Sequence, residues 1–338
     1  MFADSTRPYR SSCSCSIGLS AVALLTLLWL SPAATGAAES KVFIAFSSYR
    51  EHTQHPQIYF YEHDTEATGK IVDNIPAVPK RSDHRASLSR DGRYCAFASE
   101  IENETSRIYL WDRHEKKLID LPGSNDSPNS QQWPTLTGDG QTIVFTTWNR
   151  PGSSQRWDLF TYDVVGKSVS ELSKLNTQLF DERMPAISAD GKRLAYVTND
   201  KAGAGLMDIV LYDRASNAPL TPKDLNSAHR EVEPALSGDG NLLCFSSDRP
   251  GGVGGRDLYL FDLQAGKLLD LPGLNSVAHE QSPSLSPDGR YIAFVSERIQ
   301  GAGERDIFLY DRESKKLLPT PGLNARQEDL DPCVIVVK

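Results

Sequence analysis

The feature that most constrains this chain is a repeat of about 49 residues marked by the dipeptide Asp-Gly. The dipeptide recurs at 91–92, 139–140, 190–191, 239–240 and 288–289, in steps of 48, 51, 49 and 49 residues. A proline stands five residues before the aspartate in four units, and Ala86 takes this place in the first unit. The four prolines are Pro134, Pro185, Pro234 and Pro283. A period of this length indicates a repeat architecture in which each unit packs against the next.

Each repeat unit predicts four short strands. In the unit around Asp239 these are 234–237, 242–247, 257–262 and 267–271, rich in Leu, Phe and Tyr and separated by polar, Gly-rich segments. Such short runs bounded by turn residues favour strands over helices. Asp-Gly suits a tight hairpin, because glycine tolerates a positive φ and the aspartate can accept hydrogen bonds from its own backbone. Four antiparallel strands in this length are typical of one propeller blade.

The two ends of the repeat region complete one another. Residues 41–74 predict strands two to four of a blade without a first strand, whereas 331–337 predict a single strand. We expect 332–337 to form the innermost strand of the N-terminal blade. The sequence therefore predicts an all-β, six-bladed β-propeller over 39–338, a single domain of four-stranded antiparallel blades. Such closure removes two exposed strand edges, and we expect a monomer.

The units resemble the WD40-like propeller repeats of the TolB family. The matching text is Ser-Pro-Ser-Leu-Ser-Pro-Asp-Gly-Arg-Tyr-Ile-Ala-Phe-Val-Ser-Glu-Arg at 282–298, followed by Asp-Ile-Phe-Leu-Tyr-Asp at 306–311. The resemblance covers 41–338 and recurs in register five times. It implies a periplasmic six-bladed propeller that binds partner proteins at one mouth, such as a peptidoglycan-associated lipoprotein. It does not extend to the additional N-terminal α/β domain of TolB proper, so it implies the bare propeller.

The first 38 residues have the order of a secretory signal peptide. Arg7 and Arg10 precede an apolar run over 17–30, and small residues follow at 33–38. A positive start, an apolar middle of this length and a small-residue exit indicate cleavage and export. An uncleaved N-terminal anchor is the alternative. No other segment is apolar enough to cross a membrane, so we expect a periplasmic protein with no membrane span after cleavage.

Carboxylates recur three residues before each proline position. They are Asp83, Glu182, Glu231, Glu280 and Asp329, with Gln131 in the remaining unit. If the first strands line a central channel, these side chains approach a common axis, where like charges repel unless a cation lies among them. Clustered carboxylates are the ligands that Ca²⁺ prefers. The pattern predicts a site for Ca²⁺ or another divalent cation, or a docking ring for a basic partner segment. Alternatively, each acid accepts hydrogen bonds within its own loop.

The residues next to those acids differ from unit to unit. We predict that several of them bind a protein or peptide partner at the channel mouth: Trp133, Arg183, His84, Arg85 and Glu233. Mixed aromatic, basic and polar groups are typical of such interfaces, where Trp and Arg often contribute most. Trp133 and Arg183 are the expected anchors. The alternative for Trp133 is packing between blades.

The loops between the second and third strands repeat arginines ahead of an aspartate. Arg249 and Arg256 precede Asp257, Arg298 and Arg305 precede Asp306, and Arg150 and Arg156 precede Asp158. We expect these arginines to pair with carboxylates and so to fix the conformation of the loops.

Composition and motifs exclude several other functions. With a net charge of −8 and no basic run, nucleic acid is not an expected partner. The seven histidines fall at unlike places in their repeats, and no nucleophile-elbow motif is present. The sequence thus favours a non-enzymatic, envelope-associated interaction scaffold. The alternatives are a polysaccharide lyase or hydrolase using a divalent metal at the channel mouth, and a scaffold stabilised by a cation.

Three cysteines follow the predicted signal peptide, and each lies within an apolar strand-like run. They are Cys95, Cys244 and Cys333. An odd number in such surroundings predicts buried free thiols rather than disulfides.

Overall fold

The computed structural model describes residues 40–50, 54–64, 68–102, 104–124, 129–148 and 156–337. The predicted signal peptide at 1–38 lies outside this part of the chain. The described ranges form 24 strands in six antiparallel sheets of four. They contain no helix that could span a membrane. The innermost strands contact one another in sequence around a ring, which makes the fold a six-bladed β-propeller.

Within each blade the strands follow one another from the innermost position outwards. Blade 1 contains β24 (Asp329–Val337), β1 (Lys41–Ser48), β2 (Gln57–His63) and β3 (Gly69–Asn74). Blade 2 contains β4 (Arg81–Leu88), β5 (Tyr94–Ile101), β6 (Arg107–Asp112) and β7 (Lys117–Ile119). Blade 3 contains β8 (Gln131–Leu136), β9 (Thr142–Trp148), β10 (Trp157–Asp163) and β11 (Ser168–Glu171).

The second half of the ring repeats the same order. Blade 4 contains β12 (Glu182–Ile187), β13 (Arg193–Thr198), β14 (Asp208–Asp213) and β15 (Ala218–Pro219). Blade 5 contains β16 (Glu231–Leu236), β17 (Leu242–Ser247), β18 (Asp257–Asp262) and β19 (Lys267–Leu269). Blade 6 contains β20 (Glu280–Leu285), β21 (Tyr291–Ser296), β22 (Asp306–Asp311) and β23 (Lys316–Leu318).

The C-terminal strand closes the ring as the sequence predicted. β24 pairs antiparallel with β1, and the register runs from Lys41 opposite Val337 to Ser48 opposite Asp329. The innermost position of blade 1 is therefore filled by the end of the chain, while its other three strands come from the beginning. The predicted fold, with six four-stranded blades, is confirmed.

The hydrophobic core is divided among the six interfaces between blades. Each of six buried clusters combines residues of two neighbouring blades. One joins Phe43 of blade 1 to Phe97 of blade 2, and another joins Ile44 of blade 1 to Ile307 of blade 6. Since burial of one such side chain contributes about 1.5–3 kcal/mol, every blade depends on both of its neighbours.

The Asp-Gly turns have the predicted hydrogen bonds. Asp91 accepts bonds from the Ser89 hydroxyl at 2.6 Å and the Arg93 amide at 3.0 Å, and Gly92 has a φ of 70°. The same contacts recur at the other four turns. These turns fix the hairpin between the first and second strands of five blades.

The three cysteines are free thiols, and none forms a disulfide. Cys95 and Cys244 are fully buried and Cys333 is half-buried. Burial raises the pKa of Cys244 to about 12 and that of Cys333 to about 11. This agrees with the sequence interpretation of inert, buried thiols.

Candidate functional site

A central cavity of about 210 Å³ lies among the innermost strands. All six blades contribute to its wall through the segments that run from the predicted proline positions to the Asp-Gly turns. The cavity therefore lies along the axis of the propeller, where a closed ring brings six equivalent positions together.

A bulge interrupts the first strand of every blade. In blade 2, Arg85 and Ala86 lie between the pairs His84–Ala98 and Ser87–Ala96, so two residues oppose the single residue Phe97. The register shifts at the equivalent place in the other five blades. The second bulge residue is proline in those five blades. Proline has no backbone N–H to donate, and a bulge tolerates this because the residue there takes no part in the strand-to-strand hydrogen bonds.

The first residue of every bulge has a left-handed backbone and lines the cavity. We call these six residues the mouth ring: Arg85, Trp133, Met184, Glu233, Ser282 and Asp331. Their φ angles lie between 48° and 56°, although none is a glycine. This conformation costs a non-glycine residue about 1–2 kcal/mol. The other left-handed non-glycine residues in the described ranges lie in turns rather than strands.

The opposite end of the cavity is narrowed by backbone contacts between neighbouring Asp-Gly turns. The Arg90 amide donates to the Gly138 carbonyl, the Gly138 amide to Ala189, the Ala189 amide to Gly238 and the Gly238 amide to Pro287, each at 2.9 Å. A Cβ on Gly238 would lie 2.8 Å from the Pro287 carbonyl oxygen, so glycine permits this approach. The cavity is therefore constricted at the turn end, and the mouth ring lies toward its other end.

The mouth ring is chemically uneven. The guanidinium carbon of Arg85 lies 4.9 Å from the ring centroid of Trp133. Glu233 accepts a hydrogen bond from the Ser282 amide at 2.8 Å and a longer one from the Ser282 hydroxyl at 3.3 Å. One wall is thus cationic and aromatic, and another is acidic and polar.

Blade 3 carries a cluster of tryptophans next to the mouth ring. Trp133 and Trp157 meet edge to face with centroids 5.2 Å apart, and Trp148 lies 5.5 Å from Trp157. Trp148 is exposed. The aromatic surface therefore runs from the cavity wall to the solvent. Trp133 packs against Trp157 of its own blade and also lines the cavity.

Four of the five predicted acids bind an arginine, and in three of these blades the arginine follows the second strand. Glu231 accepts a bond from Arg249 at 2.8 Å, Glu280 from Arg298 at 3.0 Å and Asp329 from Arg50 at 3.0 Å. The three acids are fully buried. Each arginine also donates to a leucine carbonyl and stacks on two aromatic rings of its own blade, as Arg298 does on Phe294 and Phe308.

In blades 2 and 3 the buried residue at this position is stabilised by other contacts. Asp83 is bound by Arg81 at 2.8 Å and by the Ser99 hydroxyl at 2.6 Å, and burial still raises its pKa. In blade 3, Gln131 replaces the acid, donating to the Ser124 carbonyl at 2.6 Å and accepting from the Ile108 amide at 3.2 Å. A neutral amide at this position needs no counter-charge.

Glu182 of blade 4 is the buried acid for which no ion pair with an arginine is found in the described ranges. It accepts bonds from the amide and hydroxyl of Thr177, at 3.1 and 2.9 Å. Burial, followed by the nearby Asp158 and Asp181 charges, raises its pKa to about 7. Asp200 stands where the arginines of blades 1, 5 and 6 stand, two residues beyond the strand partner of the acid.

The structure does not bring the five predicted metal ligands together. Within the described residues, no three Asp, Glu, His or Cys side chains are grouped so that they could hold a metal ion. Asp83, Glu182, Glu231, Glu280 and Asp329 instead accept hydrogen bonds within or next to their own blades, which is the alternative that the sequence left open.

The predicted partner-binding residues divide into two groups. Arg85, Trp133 and Glu233 line the cavity, whereas His84 and Arg183 do not. One terminal nitrogen of Arg183 lies 3.9 Å from the Met207 sulfur, and burial lowers the pKa of His84. The bulge explains the division, because it turns the residue before each proline position toward the axis. Met184, Ser282 and Asp331 also line the cavity; the sequence placed them beside the acids at the mouth but did not single them out as partner-binding residues.

Two of the predicted loop arginines pair with carboxylates that lie outside their own loops. Arg249 and Arg298 bind the acids at the start of the first strands, not Asp257 and Asp306. Asp257 and Asp306 accept bonds from the amides of Gly254 and Gly303 within the Gly-rich loops instead. Arg150 lies outside the described residues. The loops are fixed by charged groups, as predicted.

Solved structures share this architecture. TolB from Acinetobacter baumannii superposes with a TM-score of 0.61 and 17% identity, covering 86% of this chain and 66% of its own. This chain thus spans just under two thirds of that protein. A TolB structure from Agrobacterium tumefaciens matches with a TM-score of 0.55 and 15% identity, covering 89% and 99% of the two chains.

An oligogalacturonate lyase in complex with manganese is 12% identical, with a TM-score of 0.48 over 83% of this chain and 73% of its own. That similarity is too low to carry an argument about activity. No family model and no curated protein sequence matches the chain. The six blades, the ring closure and the two TolB superpositions together identify the fold of this chain as a TolB-like six-bladed β-propeller.

Proposed function

We propose that this chain is an exported, non-enzymatic interaction protein that binds a segment of another envelope protein at the mouth ring. The observation that carries this proposal is the left-handed backbone at all six mouth-ring positions. Strained residues of this kind persist where the surrounding structure holds them, and they concentrate at binding sites. A glycine would relieve the strain at any of the six, yet six different side chains occupy them.

The variety of these side chains also favours recognition over packing. The backbone of the mouth ring is nearly identical in every blade, whereas its residues are cationic, aromatic, apolar, acidic and polar in turn. A purely structural position in a repeat tends to keep one chemistry, as the Asp-Gly turns do. An asymmetric set on a symmetric frame suits one particular partner segment.

Exposed apolar side chains on the surrounding loops extend the proposed interface. One is the last residue of a second strand, and the others lie between second and third strands or just before first strands; these connections emerge at the mouth end. They are Trp148, Leu179, Leu206, Val253, Val277 and Ile299. Apolar side chains exposed together around a cavity are typical of protein-binding surfaces.

The proposed location rests on the predicted signal peptide and on the TolB-like fold. Residues 1–38 have the order of an export signal, and the TolB resemblance implies a periplasmic interaction partner. We therefore place the protein in the periplasm, with the mouth ring as its partner-binding site.

Site-specific photo-cross-linking in intact cells tests this function. A photoreactive phenylalanine analogue at Trp133 should form an adduct with one discrete partner protein. The same analogue at Leu268, an exposed residue of outer strand β19, is the matched control and should not. No adduct from position 133, or the same set of adducts from both positions, would contradict the proposal.

A further inference from the structure

We infer that the mouth ring recognises a carboxylate on the partner segment, held by Arg85 and Trp133. This inference rests on the proposed function and names the group that the site selects. The carboxylate could belong to a chain terminus or to an Asp or Glu side chain, since both present the same two acceptor oxygens.

Arg85 is the first of two donors on one wall of the cavity. Its guanidinium is half-buried and stacks on Trp133, and among the described residues no carboxylate lies within ion-pairing distance of it. Arg50, Arg249 and Arg298, by contrast, each bind a buried acid of their own. Arg85 therefore keeps its hydrogen-bonding capacity for a group that enters the cavity.

Trp133 supplies the second donor. Its indole nitrogen is buried and has no hydrogen-bond acceptor within the described structure. A buried polar group without a partner is unfavourable, and a carboxylate oxygen would satisfy this one. Trp157 contacts the ring edge to face and fixes its orientation. Trp133 and Arg85 are in contact and both line the cavity, so the free indole N–H lies close to the guanidinium.

The charges around the cavity favour an acidic group on this wall alone. In blade 3 the uncharged Gln131 stands where the other blades carry an acid. Glu233, on blade 5, repels a carboxylate from that side of the mouth ring, and Asp331, on blade 1 next to Arg85, repels it from the side of Arg85 that faces away from Trp133. An arginine fork binds a planar carboxylate with two parallel hydrogen bonds, and the indole N–H can donate to one of its oxygens. A cavity of about 210 Å³ fits a single acidic residue rather than a folded domain.

Three hexapeptide libraries test the inference on the purified protein. The first has free C-terminal carboxylates, the second is amidated but contains Asp and Glu, and the third is amidated and lacks both. We expect binders from the first or second library, which distinguishes the two carboxylate sources, and none from the third. An oligogalacturonate probe is included because its sugar acids offer the same group.

Variants then assign the binding to the two donors. For the best peptide, Arg85→Gln should weaken binding by roughly 10- to 100-fold, as expected for loss of a charge-assisted hydrogen bond. Arg85→Lys should recover part of the loss, and Trp133→Phe should weaken binding several-fold while keeping the ring. Arg290→Gln, which changes an arginine at an Asp-Gly turn outside the cavity, is the control and should bind normally.

The outcomes separate this inference from the proposed function. Equal binding of the third library, or binding that ignores both Arg85→Gln and Trp133→Phe, overturns the carboxylate inference and leaves peptide binding intact. Binding of oligogalacturonate alone, or of no probe, overturns both. If Arg85→Gln does not fold, Arg85→Lys and Trp133→Phe still decide the question.

Discussion

Replacing Glu182 by Gln should stabilise the protein, and increasingly so as the pH rises. Glu182 is fully buried, and its bonds come from Thr177 rather than from an arginine. Burial raises its pKa from 4.5 to about 7. Glutamine is nearly isosteric with the protonated acid and keeps a carbonyl oxygen for the Thr177 amide.

The magnitude follows from the two pKa values. The folded state holds the Glu182 proton more tightly than the unfolded chain, so the folded state is favoured while the pH is low. Between 4.5 and about 7 the unfolded chain releases this proton and the folded one does not, so stability falls as the pH rises. Each pH unit contributes about 1.4 kcal/mol, so the interval from 4.5 to about 7 makes the full cost of ionised Glu182 about 3 kcal/mol.

Urea unfolding of the wild-type and Glu182→Gln proteins from about pH 4.5 to about pH 8.5 measures this effect. The difference in unfolding free energy should be near zero at the acid end and reach about 3 kcal/mol in favour of glutamine at the basic end. Glu280→Gln is the matched control: it removes the partner of buried Arg298 and should destabilise at the basic end. A Glu182→Gln difference that does not change with pH would refute the reasoning.

Three further predictions concern other parts of the fold. Arg298→Met should lower the unfolding free energy by about 3–5 kcal/mol in urea titrations, because Glu280 stays buried without its partner; a loss below about 1 kcal/mol would contradict the pairing. Asp331→Gly should be more stable than Asp331→Ala by about 1 kcal/mol, since only glycine adopts this φ of 50° without strain, and equal melting temperatures would exclude the left-handed backbone. Iodoacetamide at about pH 8 should label Cys95, Cys244 and Cys333 only after the protein is unfolded. Mass spectrometry of the treated native protein should find none of the three modified.

Sequence alone predicted the architecture because its signals are local and repeated. The Asp-Gly turns, the proline positions and the short apolar strands each constrain a few neighbouring residues, and five copies in register confirm one another. The single strand predicted at 331–337 could then pair only with the N-terminal blade, which lacked its first strand. Closure of the ring followed from counting strands.

The site was harder to predict, because a bulge changes which side chains face the axis. Counting along an ideal strand placed Glu231 and its equivalents at the channel, whereas they are buried and bonded to nearby groups, an arginine in every case except Glu182. Nor does spacing reveal that Arg249 binds Glu231 rather than Asp257, since that choice depends on how adjacent loops approach in space. The proline after each mouth-ring residue was the available clue, because proline within an inner strand requires an amide outside the ladder.

The pairing of β24 with β1 has a consequence for biogenesis. These strands lie at opposite ends of the described chain, so the ring cannot close until β24 has been synthesised. Until then β1 presents an open edge, a hazard for aggregation, and contacts this distant in sequence form slowly. Any prematurely terminated product lacks the closing strand and remains open. A protease that cleaves chains with an exposed strand edge would therefore degrade molecules whose ring is open and spare those whose ring is closed.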